Sequence, residues 1–240
     1  MFSLGVDDAG RGPIIGPMIL AGVALDEKSK KELSKLGVKD SKALAHARRV
    51  ELAAEIQKRA SAIKVVKASP TEIDRALASG KNLNTLEAEL AAKVVKSIVE
   101  QLQDRKATSK LRDSPKPAGK IKVVVDCPSA NTLAWRAELL NLLQKLSPSL
   151  QIELKCEHKA DVKHIEVSAA SVIAKVEREK EMQTIRKKYA HLGEVGSGYP
   201  ADPLTKAFLK KHGKKLSSEG IFRKSWETWK RLFPTANQKT

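Results

Sequence analysis

The 240-residue sequence predicts an α/β fold, a mixed sheet with helices on both faces, from three observations. Short apolar runs open the chain at residues 2–6, 18–25 and 63–66. Helical and strand-like patterns then alternate, and the chain closes in a helical tail. Strands in that order share one sheet and are covered by the helices between them. A chain of this length supports one sizeable domain with a genuine core.

The three opening runs read as strands, with a charged segment and a helix near residues 48–60 between the second and third. Ser69-Pro70-Thr71-Glu72 has capping-box spacing with proline at the first helical position, so a short helix starts there. Leu86, Leu90, Val94, Ile98 and Leu102 recur every four residues and form one stripe of a long amphipathic helix, which reads as core. Residues 104–120 concentrate Lys, Arg, Ser and Pro without apolar periodicity and are expected to form an exposed insertion loop. Residues 121–125 form an apolar run typical of a strand covered on both faces, and it ends in Asp126. A helix is expected at 133–146. Ile152, Leu154 and Cys156 then alternate with polar residues, the pattern of a half-exposed strand near a sheet edge. A helix over 167–189 begins with Ser168, Ala169, Ala170, Ser171 and Ala174, small enough to let a neighbouring backbone approach closely. Another follows Asp202-Pro203, and a last one spans roughly 225–233.

Lys and Arg total 45 against 28 Asp and Glu, a formal charge of +17 that attracts a polyanion and favours fast, salt-sensitive association. Nucleic acid is the first expectation; a basic surface with no specific ligand is the alternative. Cys127 and Cys156 are too few for a disulfide framework or a cysteine zinc cluster, and a reducing, cytoplasmic setting fits. No signal peptide or membrane span is expected, because the longest apolar stretch is broken by Gly16, Pro17 and Gly22.

Asp7 and Asp8 finish the first strand before a glycine-rich turn, and Asp126 finishes a buried one. Strand ends are where open α/β sheets place ligands. A carboxylate there needs solvent, hydrogen bonds or a cation. Adjacent aspartates also make ordinary turns, so on spacing alone both readings stay open. Asp161 adds a third segment, and clustering these acids without a cation is unfavourable through repulsion. Magnesium takes such oxygen ligands. Gly10 and Gly12 allow close backbone approach to a ligand, with Arg11 between them as a cationic contact.

Taken together, these segments resemble the type 2 ribonucleases H, the ribonuclease HII family, in its archaeal and eukaryotic catalytic-subunit branch. The resemblance is carried by Asp7-Asp8-Ala9-Gly10-Arg11-Gly12-Pro13, by Asp40-Ser41-Lys42, by His158-Lys159-Ala160-Asp161, by residues 167–176 (VSAASVIAKV) and by residues 196–203 (GSGYPADP). It implies a ribonuclease H-like fold, a five-stranded mixed sheet flanked by helices, with a catalytic domain over 1–200 and a helical C-terminal segment over 201–240. It implies a catalytic, metal-binding set of Asp7, Asp8, Asp126 and Asp161, with Asp126 placed by its strand end rather than by a motif. It further implies Mg²⁺ or Mn²⁺, two ions during catalysis. The substrates would be RNA/DNA hybrids and DNA duplexes containing ribonucleotides. Gly10, Arg11 and Gly12 would contact the ribonucleotide at the cleavage junction and Tyr199 the neighbouring deoxyribose. Lys42, Ser168 and Ser171 are candidate phosphate contacts, although the serines equally suit helix packing. The chain departs from the family at Asp8, where the family carries Glu. That departure leaves room for a second reading, a non-catalytic nucleic-acid-binding protein on the same fold. No sliding-clamp peptide is evident at 235–240, which favours a monomer.

Overall fold

The computed structural model describes residues 2–39, 45–108, 121–148 and 150–234, apart from the side chains of 104–108. In chain order its elements are β1 (Phe2–Ala9), β2 (Met18–Asp26), α1 (Glu27–Lys35), α2 (His46–Arg59), β3 (Ala62–Ala68), α3 (Pro70–Ala78), α4 (Leu83–Thr108), β4 (Ile121–Asp126), α5 (Thr132–Leu146), β5 (Ile152–Glu157), α6 (Ala160–Lys163), α7 (Ile165–Tyr189), α8 (Pro203–His212) and α9 (Glu227–Leu232).

The strands form one five-stranded sheet in the order β3-β2-β1-β4-β5. β1 runs parallel to β4 with Val6 opposite Val125, and β4 runs parallel to β5 with Asp126 opposite Glu157. The β1–β2 connection, residues 10–17, is shorter than the dozen or so residues a parallel crossover needs, so this pair is antiparallel. The Ser61 N–H donates to Ala24 O at 2.8 Å, which seats the start of β3 against the end of β2 and makes that pair antiparallel too. The sheet is therefore mixed, as expected. β5 lies at an edge with Leu154 buried and Glu153 and Lys155 exposed, matching its alternating sequence.

The chain divides into two compact units. The first comprises Met1–Asp8, Leu20–Val66 and Glu87–Val176 and holds most of the sheet. Its core includes Leu4, Val6, Val94, Ile98, Val123 and Val124. Gly5 shows how tightly α7 is seated on β1. A Cβ at Gly5 would lie 2.1 Å from the Glu166 carbonyl carbon and 2.3 Å from Val167 N. Neither backbone atom can swing aside. Ser168, Ala169, Ala170, Val172 and Ala174, fully buried, continue the same contact surface. Gly5→Ala is expected to destabilise the protein by about 3 kcal/mol, the upper end for overpacking. A lower urea midpoint at unchanged m would register it.

The second unit comprises Ala9–Ile19, Lys67–Leu86 and Glu177–Thr240, and so contains the expected C-terminal helices. Its own core joins Ile14 and Ile15 to Met182, Tyr189, Val195, Phe208, Leu209, Phe222 and Trp229. Ser69 and Glu72 form the expected reciprocal cap of α3, and Asp202 caps α8 with Pro203 at its first position.

Two expectations change. The charged segment after β2 contains a helix, α1, held by the Asp26 side chain on Ser29 N at 2.7 Å. Its only buried apolar residue is Leu33, so no periodicity announced it. The loop expected over 104–120 begins later, because α4 continues helically to Thr108. Residues 109–120 lie outside the described residues.

Candidate active site

The first unit brings three of the four predicted acids together. Val6 and Val125 are partners in register, so the next residues, Asp7 near the end of β1 and Asp126 at the end of β4, lie on neighbouring parallel strands spaced about 4.8 Å apart. Asp7, Asp8 and Asp126 line one pocket with Leu20, Glu87, Ala91, Pro128 and Trp135. Asp7 is buried, whereas Asp8 and Asp126 are partly exposed. Burial, and then the neighbouring charge of Asp8, push the Asp7 carboxyl up to about 8, with Asp126 adding to the effect. The nearby Ser171 hydroxyl and the Asp8 N–H, which donates to Asp7 Oδ1 at 2.7 Å, offset this only in part.

Asp126 also organises the fourth acid's segment. Its Oδ1 accepts the Ala160 N–H at 2.8 Å, which ties the end of β4 to the start of α6. Asp161, the next residue, is buried in the first turn of that helix. The sharp entry is made at Lys159, whose φ of 55° is left-handed. His158 and His164 flank this segment and engage Cys127 O and Glu157 respectively.

Among the described residues no three acidic, histidine or cysteine side chains stand close enough to chelate one ion by themselves. Magnesium does not require that, since it is held by one or two carboxylates and keeps several waters. A carboxylate buried beside two others, protonated to about pH 8 for want of counter-charge, is chemically suited to such a cation. The oxygen-only donor set excludes a thiolate or imidazole site of the zinc kind.

Among the candidate phosphate contacts, Ser168 is fully buried and donates to Val38 O at 2.7 Å, and Ser171 is buried facing Asp7. Both serines are buried in this structure. Asp40, Ser41 and Lys42 lie outside the described residues.

The glycine turn and Tyr199 belong to the second unit. Gly10 has φ +90°, and a Cβ there would stand 2.6 Å from Arg178 Cδ, so glycine is required twice over. Arg11 donates through Nη2 to Asn84 Oδ1 at 2.7 Å. Gly12 is exposed, and Tyr199, 43% exposed, has a ring carbon 3.7 Å from where a Gly12 Cβ would be. The Tyr199 loop braces itself: Asp202 accepts from Ser197 N and Ser197 Oγ, which together with Leu204 N and Thr205 hold its carboxyl down at about 2. The Gly198 carbonyl accepts from Ile14 N and Ile15 N, joining this loop to the chain just past the turn. Arg178, buried and donating to Ser197 O, lies under the Tyr199 ring at 5.2 Å.

Glu87, Trp135, Arg178 and Arg223 were not singled out from the sequence. Glu87 follows Leu86 in the core stripe, and its burial at 2% exposure is the first sign that α4 contributes to the pocket.

Fold and site together define a class, the metal-dependent ribonucleases H. The crystal structure of ribonuclease H2 from Pyrococcus horikoshii OT3 superposes with a TM-score of 0.75 at 34% identity, covering 97% of each chain. The ribonuclease HII of Archaeoglobus fulgidus, solved in complex with PCNA, gives 0.74 at 34% identity over 95% of this chain and 96% of that one. The chain belongs to the ribonuclease HII family: the profile of that family matches residues 4–229. Ribonuclease HII of Methanocaldococcus jannaschii is 35% identical over 241 aligned positions, 99% of this chain and 97% of that protein. The activity that follows from membership is ribonuclease H activity on RNA/DNA hybrids. Among the described residues no helix is long and apolar enough to cross a membrane.

Proposed function

We propose that this chain hydrolyses the RNA strand of RNA/DNA hybrids and also cuts at single ribonucleotides embedded in duplex DNA, leaving 5′-phosphate and 3′-hydroxyl ends. The observation that carries the reading is the pocket where Asp7, Asp8 and Asp126 meet at the ends of parallel strands. Two divalent ions, Mg²⁺ or Mn²⁺, supply an activated water and charge stabilisation of the leaving 3′-oxygen when bound. Asp7 and Asp126 hold the ions in register with the scissile phosphate, Asp8 completes the pocket, and Asp161 takes the ion that binds less tightly. Gly10, Arg11 and Gly12 contact the ribonucleotide at the junction, where backbone donors reaching a 2′-hydroxyl distinguish RNA from DNA. Tyr199, exposed and rigidly based, stacks on the adjacent deoxyribose.

The test is incubation with Mg²⁺ or Mn²⁺ and a duplex carrying one ribonucleotide, beside an all-DNA control. A single cut at the ribonucleotide is expected. An intact duplex alongside normal binding would favour the non-catalytic reading that the departure at Asp8 permits.

Asp8 is one methylene shorter than the Glu of the family pattern, and magnesium coordination near 2.0–2.1 Å tolerates little slack. Asp8→Glu should keep or raise turnover in Mg²⁺ and narrow an advantage of Mn²⁺. A loss above about tenfold, roughly 1.4 kcal/mol of barrier, would mean that this site is built around aspartate.

A further inference from the structure

The turn at Gly10-Arg11-Gly12 is held by a segment more than two hundred residues further along the chain. Arg223 is fully buried. Its Nη2 donates to Gly10 O at 2.6 Å and to Gly16 O at 3.0 Å, its Nη1 to Arg11 O at 2.8 Å, and its Nε to Gly16 O at 3.1 Å. Trp226 adds its indole N–H, which donates to Gly12 O at 3.0 Å. The Arg223 guanidinium also stands 4.8 Å over the Trp226 ring, so the two donors support each other. Backbone bonds lock the strip in place: Arg223 N donates to Ile14 O at 2.9 Å and Gly16 N to Ile221 O at 3.0 Å. The carbonyl oxygens of three successive turn residues therefore each receive a donor from one short segment.

In a planar trans peptide the N–H lies opposite the C=O. Holding the Gly10 and Arg11 carbonyls toward Arg223 turns the N–H groups of Arg11 and Gly12 the other way. The next peptide, into Pro13, has no N–H to offer. The carbonyl dipoles end on a buried cation, so their positive ends face outward, an arrangement that suits an anionic or hydroxyl oxygen. Exposed Gly12 and the Tyr199 ring lie on this turn.

We propose that Arg223 and Trp226 are positioning residues for ribonucleotide recognition. Arg223, by fixing the Gly10 and Arg11 carbonyls, aims the amide donors of Arg11 and Gly12 at the 2′-hydroxyl and adjoining phosphate of a ribonucleotide. Trp226, by holding the Gly12 carbonyl and stacking on Arg223, keeps the far side of Gly12 and the guanidinium in place. Preference for RNA at this turn is thus set from the C-terminal segment. The proposal rests on the reading of the turn as the ribonucleotide contact. Only a guanidinium has the planar fork to reach several carbonyls at once, so Arg223→Lys keeps the charge and loses the fork. Trp226→Phe keeps a ring against Arg223 and removes a single donor.

The experiment compares binding of two duplexes of one sequence in EDTA, all-DNA and with a single ribonucleotide, for the unmutated chain, Trp226→Phe, Arg223→Lys and the control Arg231→Ala. Arg231 is exposed and pairs with Glu227. Trp226→Phe should shrink the preference for the ribonucleotide duplex by about fivefold, the scale of one lost hydrogen bond, at nearly unchanged all-DNA affinity and Tm. Arg223→Lys should shrink it further, and Arg231→Ala should leave it alone. An unchanged preference in folded Trp226→Phe overturns the proposal, as does an equal loss for both duplexes with a fallen Tm. Should Arg223→Lys fail to fold, Trp226→Phe decides alone. If the unmutated chain neither prefers nor cuts the ribonucleotide duplex, the reading of the turn as the ribonucleotide contact fails and the proposal falls with it.

Discussion

Asp7→Asn is expected to lower cleavage of an RNA/DNA hybrid by at least about a thousandfold, roughly 4 kcal/mol of barrier, while raising the Tm of the metal-free protein. Both effects have one origin. Asn keeps the Oδ1 acceptor used by Asp8 N–H but, being neutral at every pH, is spared the proton that burial, Asp8 and Asp126 force on Asp7 when the chain folds. Activity falls because the strongest candidate ligand is gone, and stability rises because folding no longer has to protonate a carboxylate. Asp126→Asn should abolish cleavage likewise and keep the fold, since its Oδ1 still accepts from Ala160 N. A general folding defect would move activity and Tm in the same direction, so opposite movement in Asp7→Asn separates the explanations. Cleavage within tenfold of the unmutated chain would remove Asp7 from the catalytic set.

The second large effect is a linkage between pH, stability and metal. The Asp7 carboxyl titrates at about 8 in the folded protein against 3.8 for an ordinary aspartate. Between those values the native state holds one more proton than the unfolded chain, so the Asp7 contribution to stability falls as pH rises. The loss begins near pH 4 and is complete above pH 8, on the order of 5 kcal/mol in the metal-free protein. Asp7→Asn should lack this slope, and the two proteins should converge in stability below pH 4. A divalent ion that takes the place of the proton should bind about tenfold more tightly for each pH unit up to 8, with release of one proton. Calorimetric titration with Mg²⁺ or Mn²⁺ in buffers of different ionisation enthalpy measures that release. An affinity flat between pH 5 and 7 would show that Asp7 is not displaced from its proton by the ion.

The parts of the molecule that were legible in the sequence are those whose signal is local. Apolar runs ending in Asp7 and Asp126 announced both the strands and what stands at their ends, and the Leu86 to Leu102 stripe announced a core helix that is indeed buried. The cap at Ser69 was legible because its two partners are three residues apart. What the sequence hid depends on distance or on neighbours. A polar helix such as α1, with one buried leucine, has no apolar period to reveal it. Glu87 reads as a surface acid of an amphipathic helix until β1 and β4 are placed against the same pocket. Arg223 is one arginine in a strongly basic chain, and only the fold shows that its partners lie 207 to 213 residues away. The charge excess pointed to nucleic acid but could not separate a cation spent inside the protein from one facing a phosphate.

That long reach has a consequence for how the enzyme matures. The strip carrying Arg223 is made more than two hundred residues after the turn that it shapes. A nascent chain can complete most of its sheet from segments made earlier, yet its Gly10 and Arg11 carbonyls wait for a donor that follows 212 to 213 residues behind them. Contacts of such high sequence separation are slow to close and form late. On the proposed reading of the turn, its recognition geometry closes only after the segments carrying Asp7, Asp126 and Asp161 have been made.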